Sequence, residues 1–114
     1  MLFRSNERIG GASWSPILSF EGGGLKLEDT LVEIAGLALD PSDPMRIWIG
    51  LNRSTVRATP RAFAGEVVTS KDGGATWAAV TGETLPRLSD LVLGLDGRYL
   101  FAATESGVWR MPLR

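Results

Sequence analysis

Between residues 67 and 80 the chain reads Val-Val-Thr-Ser-Lys-Asp-Gly-Gly-Ala-Thr-Trp-Ala-Ala-Val. Two strand-like runs, 67–69 and 77–80, flank Asp72-Gly73-Gly74, and an Asp-Gly pair so placed is a strong β-hairpin signal. The Asp72 carboxylate can accept from amides just ahead of it, and both glycines can take positive φ without steric cost. Trp77 opens the second strand and can pin the turn against a neighbouring layer. Fourteen glycines and six prolines among 114 residues imply many short elements joined by tight turns. That is the pattern of one modest all-β domain.

Composition narrows the chemistry. The chain has no cysteine and no histidine. It therefore lacks disulfides, thiolate catalysis, the usual general base and the commonest metal ligand. Carboxylates, Arg, Lys, Tyr and hydroxyls are what remain, and no metal or cofactor motif is present. Twelve basic residues against thirteen acidic ones give a net charge of −1, which offers nothing to a nucleic acid. No run approaches the ~18 apolar residues of a membrane span, and Met1-Leu2-Phe3-Arg4 turns polar too soon for a secretory signal. The compartment stays open.

Internal repetition sets the architecture. Gly11-Ala12-Ser13-Trp14-Ser15-Pro16-Ile17 aligns with Gly74-Ala75-Thr76-Trp77-Ala78-Ala79-Val80, an expanded copy that has lost its Asp. Leu37-Ala38-Leu39-Asp40 aligns with Leu93-Gly94-Leu95-Asp96, each followed by a turn and a strand. The expected strands are 2–5 and 12–18, then 31–39, 46–51, 63–70 and 76–81, then 88–95, 99–104 and 107–112. A helical reading of 31–39 is open locally, since Leu, Glu and Ala are good helix formers. Small residues recur in the first strand of each group, at Gly36, Ala38 and Gly94.

Ser70, Asp72, Gly74, Thr76 and Trp77 fill, in order, all five positions of the pattern S-x-D-x-G-x-T-W. On these residues the chain resembles the Asp-box, or BNR-repeat, family of sialidases, xyloglucanases and sortilin-type receptors. The resemblance implies a fragment of a β-propeller built from antiparallel four-stranded blades: half a blade (1–20), one whole blade (31–81) and three strands of a third (88–112). It makes the 70–77 hairpin the link between a blade's third and fourth strands, with a structural role, and makes Ser13 and Trp14 the remnant of a degenerate box. It also implies a fourth strand for the last blade, of the kind 12–18 would supply. The blade faces, bearing residues such as Trp14, Trp48, Trp77 and Trp109, would need partners: further blades of the same gene, identical chains or another protein.

Propellers of this family carry box turns at one end and bind ligands at the other, which directs attention to 52–62, 19–30 and 82–87. The stretch 52–62 carries Arg53, Arg57 and Arg61, a candidate set for a carboxylate or phosphate. Glu28, Asp29 and Glu33 are carboxylates that could pair for glycoside hydrolysis but also suit ordinary surface. Asp40, Asp43 and Asp72 fit turn caps. The sialidase set is not matched: Phe3-Arg4 runs into Ser5-Asn6, and Tyr99, the one tyrosine, sits among apolar residues. The expectation is a non-catalytic scaffold or binding module for a carbohydrate or protein ligand. The alternatives are a C-terminal fragment of a secreted glycoside hydrolase-like propeller, which would be extracytoplasmic, and a small oligomeric sugar-binding lectin.

Overall fold

The computed structural model describes residues 13–18, 30–55, 63–80 and 84–113. It is all-β. The first sheet is a meander of β1 (Thr30–Asp40), β2 (Asp43–Thr55), β3 (Ala64–Ser70) and β4 (Ala78–Ala79), in that order. The second is a three-stranded meander of β5 (Leu88–Leu93), β6 (Tyr99–Thr104) and β7 (Gly107–Pro112). All pairings are antiparallel, and the whole is consistent with a propeller fragment. The helical option for 31–39 is excluded, because β1 pairs with β2 along its length, broken by bulges after Ile34 and Leu39.

The two sheets pack face to face. Ala38, Trp48 and Val67 from the first meet Leu88, Leu91, Leu100 and Ala102 from the second in one buried cluster. Each leucine so buried contributes roughly 1.5–3 kcal/mol relative to exposure. The approach is closest along β1 and β5, where a Cβ built on Gly36 would lie 2.5 Å from the Leu91 amide nitrogen. Contact thins toward β3, and an apolar cavity of about 190 Å³ opens there beside Leu91, Trp109 and Met111. A sheet that converges on its first strand needs small residues on it, which accounts for Gly36 and Ala38. Gly94 is small for another reason, since a Cβ there would lie 3.1 Å from Phe101 Cε2 and 3.2 Å from the Tyr99 carbonyl oxygen.

On its other face the first sheet buries Ile47, Ile49, Leu51 and Val68, with Leu18, Val32 and Trp77 packed against them. Ile34, Leu37 and Leu39 on that face are exposed, as are Val92 and Val108 on the far face of the second sheet.

Four expectations need correction. Residues 13–18 form no strand and do not extend the second sheet. They lie against the 70–77 turn, where the Ile17 carbonyl accepts from Trp77 Nε1 at 2.9 Å. The strand expected over 76–81 is only two residues long, because the turn holds the backbone through Thr76 in hydrogen bonds of its own. β2 runs on to Thr55, so 52–55 are strand and not loop. Trp48 is buried between the sheets at 3% exposure, whereas Trp14 is 95% exposed. The expected strand 2–5 lies outside the described residues.

Candidate functional site

The strand ends divide side chains between two opposite ends of the molecule. One end carries the β1–β2, β3–β4 and β5–β6 turns. The other carries the start of β1, the end of β2 and the start of β5.

At the turn end, the 70–77 residues form a closed set. Ser70 Oγ donates to Asp72 Oδ1 at 2.7 Å and accepts from the Gly74 amide at 2.8 Å. Asp72 accepts from the Thr76 amide at 2.9 Å and from the Thr76 hydroxyl at 2.5 Å. Gly73 and Gly74 take φ of 74° and 101°, which a side chain would oppose. Trp77 Nε1 donates also to the Gly74 carbonyl at 3.2 Å, and the Gly73 amide donates to the Met45 carbonyl at 2.9 Å. The turn is thus tied to the β1–β2 turn, where Asp40 and Asp43 each accept from an amide two residues on. Ser13 and Trp14 lie on the irregular 13–18 stretch.

The Thr76 hydroxyl, then the Thr76 amide, then the Ser70 hydroxyl hold the Asp72 carboxyl at a pKa of about 2. A carboxyl depressed on folding adds stability above its unfolded pKa and loses it as pH falls toward the folded one. The gap in urea midpoint between the natural chain and Asp72→Asn is therefore expected to be full at pH 5 and to shrink between about pH 4 and pH 2. A constant gap across that range would contradict the role of the carboxylate charge.

At the opposite end, the expected ligand residues are arranged differently from their spacing in sequence. Arg53 points from β2 to Glu66 on β3, with Nε 2.5 Å from Oε1. Arg57 and Arg61 lie outside the described residues, as do Glu28 and Asp29. Glu33 is held by a residue that sequence reasoning passed over: Arg87 meets it with Nε and Nη2 at 2.8 and 3.0 Å. The Arg87 guanidinium also lies 4.2 Å over the Phe63 ring. Hydrogen bonds from Arg87 and then Asn52 hold the Glu33 carboxyl below the usual carboxylate range. That is the reverse of what a general acid needs at neutral pH.

Behind this pair sits Asn52, 0% exposed. Its Nδ2 donates to Glu33 Oε1 at 2.8 Å and to the Leu88 carbonyl at 2.9 Å, while Oδ1 accepts from the Leu88 amide at 2.7 Å. A side-chain amide with one acceptor and two donors thus completes the backbone pairing of the first residue of β5, across the gap between sheets. The Glu105 amide donates to the Arg87 carbonyl at 2.9 Å, which ties the β6–β7 turn to the same place. The signal that could have found this clasp is an Asn directly after Ile47-Trp48-Ile49-Gly50-Leu51, where a buried amide needs partners.

Comparison with known proteins adds one relationship. Over an alignment 112 positions long that covers 94% of this chain, the sequence is 34% identical to a xyloglucanase from a Paenibacillus species. The chain spans 11% of that relative's length. No family model matches, and no solved structure matches.

Proposed function

We propose that these residues are blades of an Asp-box β-propeller in a glycoside hydrolase-like protein, where they act as non-catalytic scaffold and as a binding surface. The carrying observation is the packing. Two sequential meanders meet face to face, and each leaves apolar side chains exposed on its far face, Ile34, Leu37 and Leu39 on one and Val92 and Val108 on the other. A radial repeat has such faces wherever another blade is to follow. Further propeller blades are the partners this reading requires.

The five hydrogen-bonding and packing residues of 70–77 support the Asp-box assignment, and the similarity to a xyloglucanase over a small part of its length supports the wider family. The scaffold role rests on how the carboxylates are used. Glu33 is tied to Arg87 and Asn52, Glu66 to Arg53, and Asp72 to Thr76 and Ser70. Each is occupied in holding structure. Incubated with xyloglucan, the 114-residue chain is expected to release no new reducing ends. Release that Glu33→Gln abolishes would overturn the scaffold reading.

A further inference from the structure

Two Asp-Gly bonds occur in the chain, Asp72–Gly73 and Asp96–Gly97. Such a bond is chemically weak, because glycine has no side chain to shield its amide nitrogen from the neighbouring carboxyl. The nitrogen bonds to Cγ, its proton and the carboxyl hydroxyl leave as water, and a cyclic imide closes. Water then opens the imide at either carbonyl. Opening at Cγ restores the aspartyl bond. Opening at the α-carbonyl breaks its bond to the glycine nitrogen and leaves the chain running through Cγ, as an isoaspartyl linkage. No oxidant or cofactor is consumed, and the water lost is replaced by the water gained.

The turns of the two sheets differ in their openness to this chemistry. In the repeat that aligns Leu37-Ala38-Leu39-Asp40 with Leu93-Gly94-Leu95-Asp96, Asp40 is followed by Pro41, and Asp43 by Pro44. Proline has no N–H, so neither carboxyl can close an imide on the residue after it. Asp72 has the glycine, but its carboxylate accepts from the Ser70 hydroxyl, the Thr76 amide and the Thr76 hydroxyl. The Gly73 amide donates to the Met45 carbonyl, and Met45 Sδ stands 2.9 Å from where a Gly73 Cβ would lie. The bonds to Asp72 also keep its carboxyl ionised, with a pKa of about 2, whereas the water of imide closure leaves from the protonated form.

Asp96 is held more loosely. Its Oδ1 accepts from the Arg98 amide at 3.0 Å, and its Oδ2 lies 3.9 Å from Arg98 Nε, with the two side chains 63% and 75% exposed. The Gly97 amide donates to the Gly94 carbonyl of the same turn at 2.9 Å. Beyond its chain neighbours, no atom comes within 4 Å of where a Gly97 Cβ would be. Opening this exposed hairpin tip frees the nitrogen without disturbing the core.

We propose that Asp96–Gly97 is a site of spontaneous aspartate isomerisation, and that the fold protects Asp72–Gly73 from the same reaction. Both bonds that close the β5–β6 hairpin, Gly97 amide to Gly94 carbonyl and Gly94 amide to Tyr99 carbonyl, span Asp96. A backbone carbon added there loosens the tip.

The test is storage of the full chain near neutral pH in water enriched in heavy oxygen, both folded and in concentrated urea, followed by trypsin digestion and fragmentation mass spectrometry. Residues 72–87 and 88–98 fall in separate tryptic peptides, ending at Arg87 and Arg98. In the folded chain, heavy oxygen and the isoaspartyl isomer are expected at Asp96 at least about tenfold faster than at Asp72, whose carboxylate has more bonds to break. In urea the two rates should come within about threefold of each other, because those bonds are gone. Gly97→Asn, a residue that tolerates positive φ but shields its nitrogen, is expected to silence Asp96 with the unfolding midpoint kept. No isomer at Asp96 in the folded chain, equal folded rates at the two sites, or a difference that persists undiminished in urea would each overturn the proposal. So would isomer forming at the original rate in the 88–98 peptide of Gly97→Asn.

Discussion

Asn52→Ala is expected to lower the stability of the chain by about 3–5 kcal/mol, read from urea unfolding followed by tryptophan fluorescence. The magnitude comes from what is orphaned. Truncation strands the Leu88 amide and carbonyl in a buried interface, at ~1–3 kcal/mol each, and removes a donor to Glu33. Asn52→Asp separates the geometry from the charge. The new carboxyl keeps an acceptor for the Leu88 amide but sets a negative charge beside Glu33 and the Leu88 carbonyl, away from water. Its folded pKa is then raised above the unfolded one, so its favourable contribution is present at low pH and lost as pH rises through the folded value. Asn52→Asp should therefore be nearly as damaging as Asn52→Ala at pH 7 and recover part of the difference near pH 4. A cost of less than about 1 kcal/mol for Asn52→Ala would mean that the clasp does not hold the sheets.

The second large effect belongs to Gly36→Ala, at about 3 kcal/mol or more. A methyl there would lie 2.5 Å from the Leu91 nitrogen, 2.7 Å from the Leu91 Cβ and 3.1 Å from the Asp90 carbonyl carbon. These are atoms of β5 itself, and only a movement of the second sheet relieves them. Gly50→Ala is the control, because its methyl would meet the Leu88 Cδ1 at 3.0 Å, the far end of a side chain that can rotate. Losing glycine's freedom in the unfolded chain returns ~0.4–1 kcal/mol, so Gly50→Ala should lie within about 1 kcal/mol of the natural chain. Equal costs at the two positions would contradict a sheet contact closest at β1 and β5.

What could be read from sequence was local. Asp72, Gly73 and Gly74 are legible because their turn chemistry is complete within a few residues, and the same holds for Asp40 and Asp43. The short runs 99–104 and 107–112 read as strands for the same reason. Partners far apart along the chain were hidden. Arg87 meets Glu33 across 54 residues, and Trp77 meets the Ile17 carbonyl across 60. Neither pairing leaves a periodic trace, so 12–18 reads as a strand and Glu33 as loose surface. Arg53 reads as a free loop cation for a related reason: the length of β2, not its composition, brings it diagonally across from Glu66, which stands opposite Leu51.

The clasp also sets an order of assembly. Within each sheet every strand pairs with its neighbour in the chain, so the hairpins close small loops and carry little entropic cost. Asn52 and Leu88 stand 36 residues apart, and their bonds gain nothing until both meanders exist. Each sheet thus forms first as an unfinished surface, and the side chain of one asparagine reports when two such surfaces have met in register.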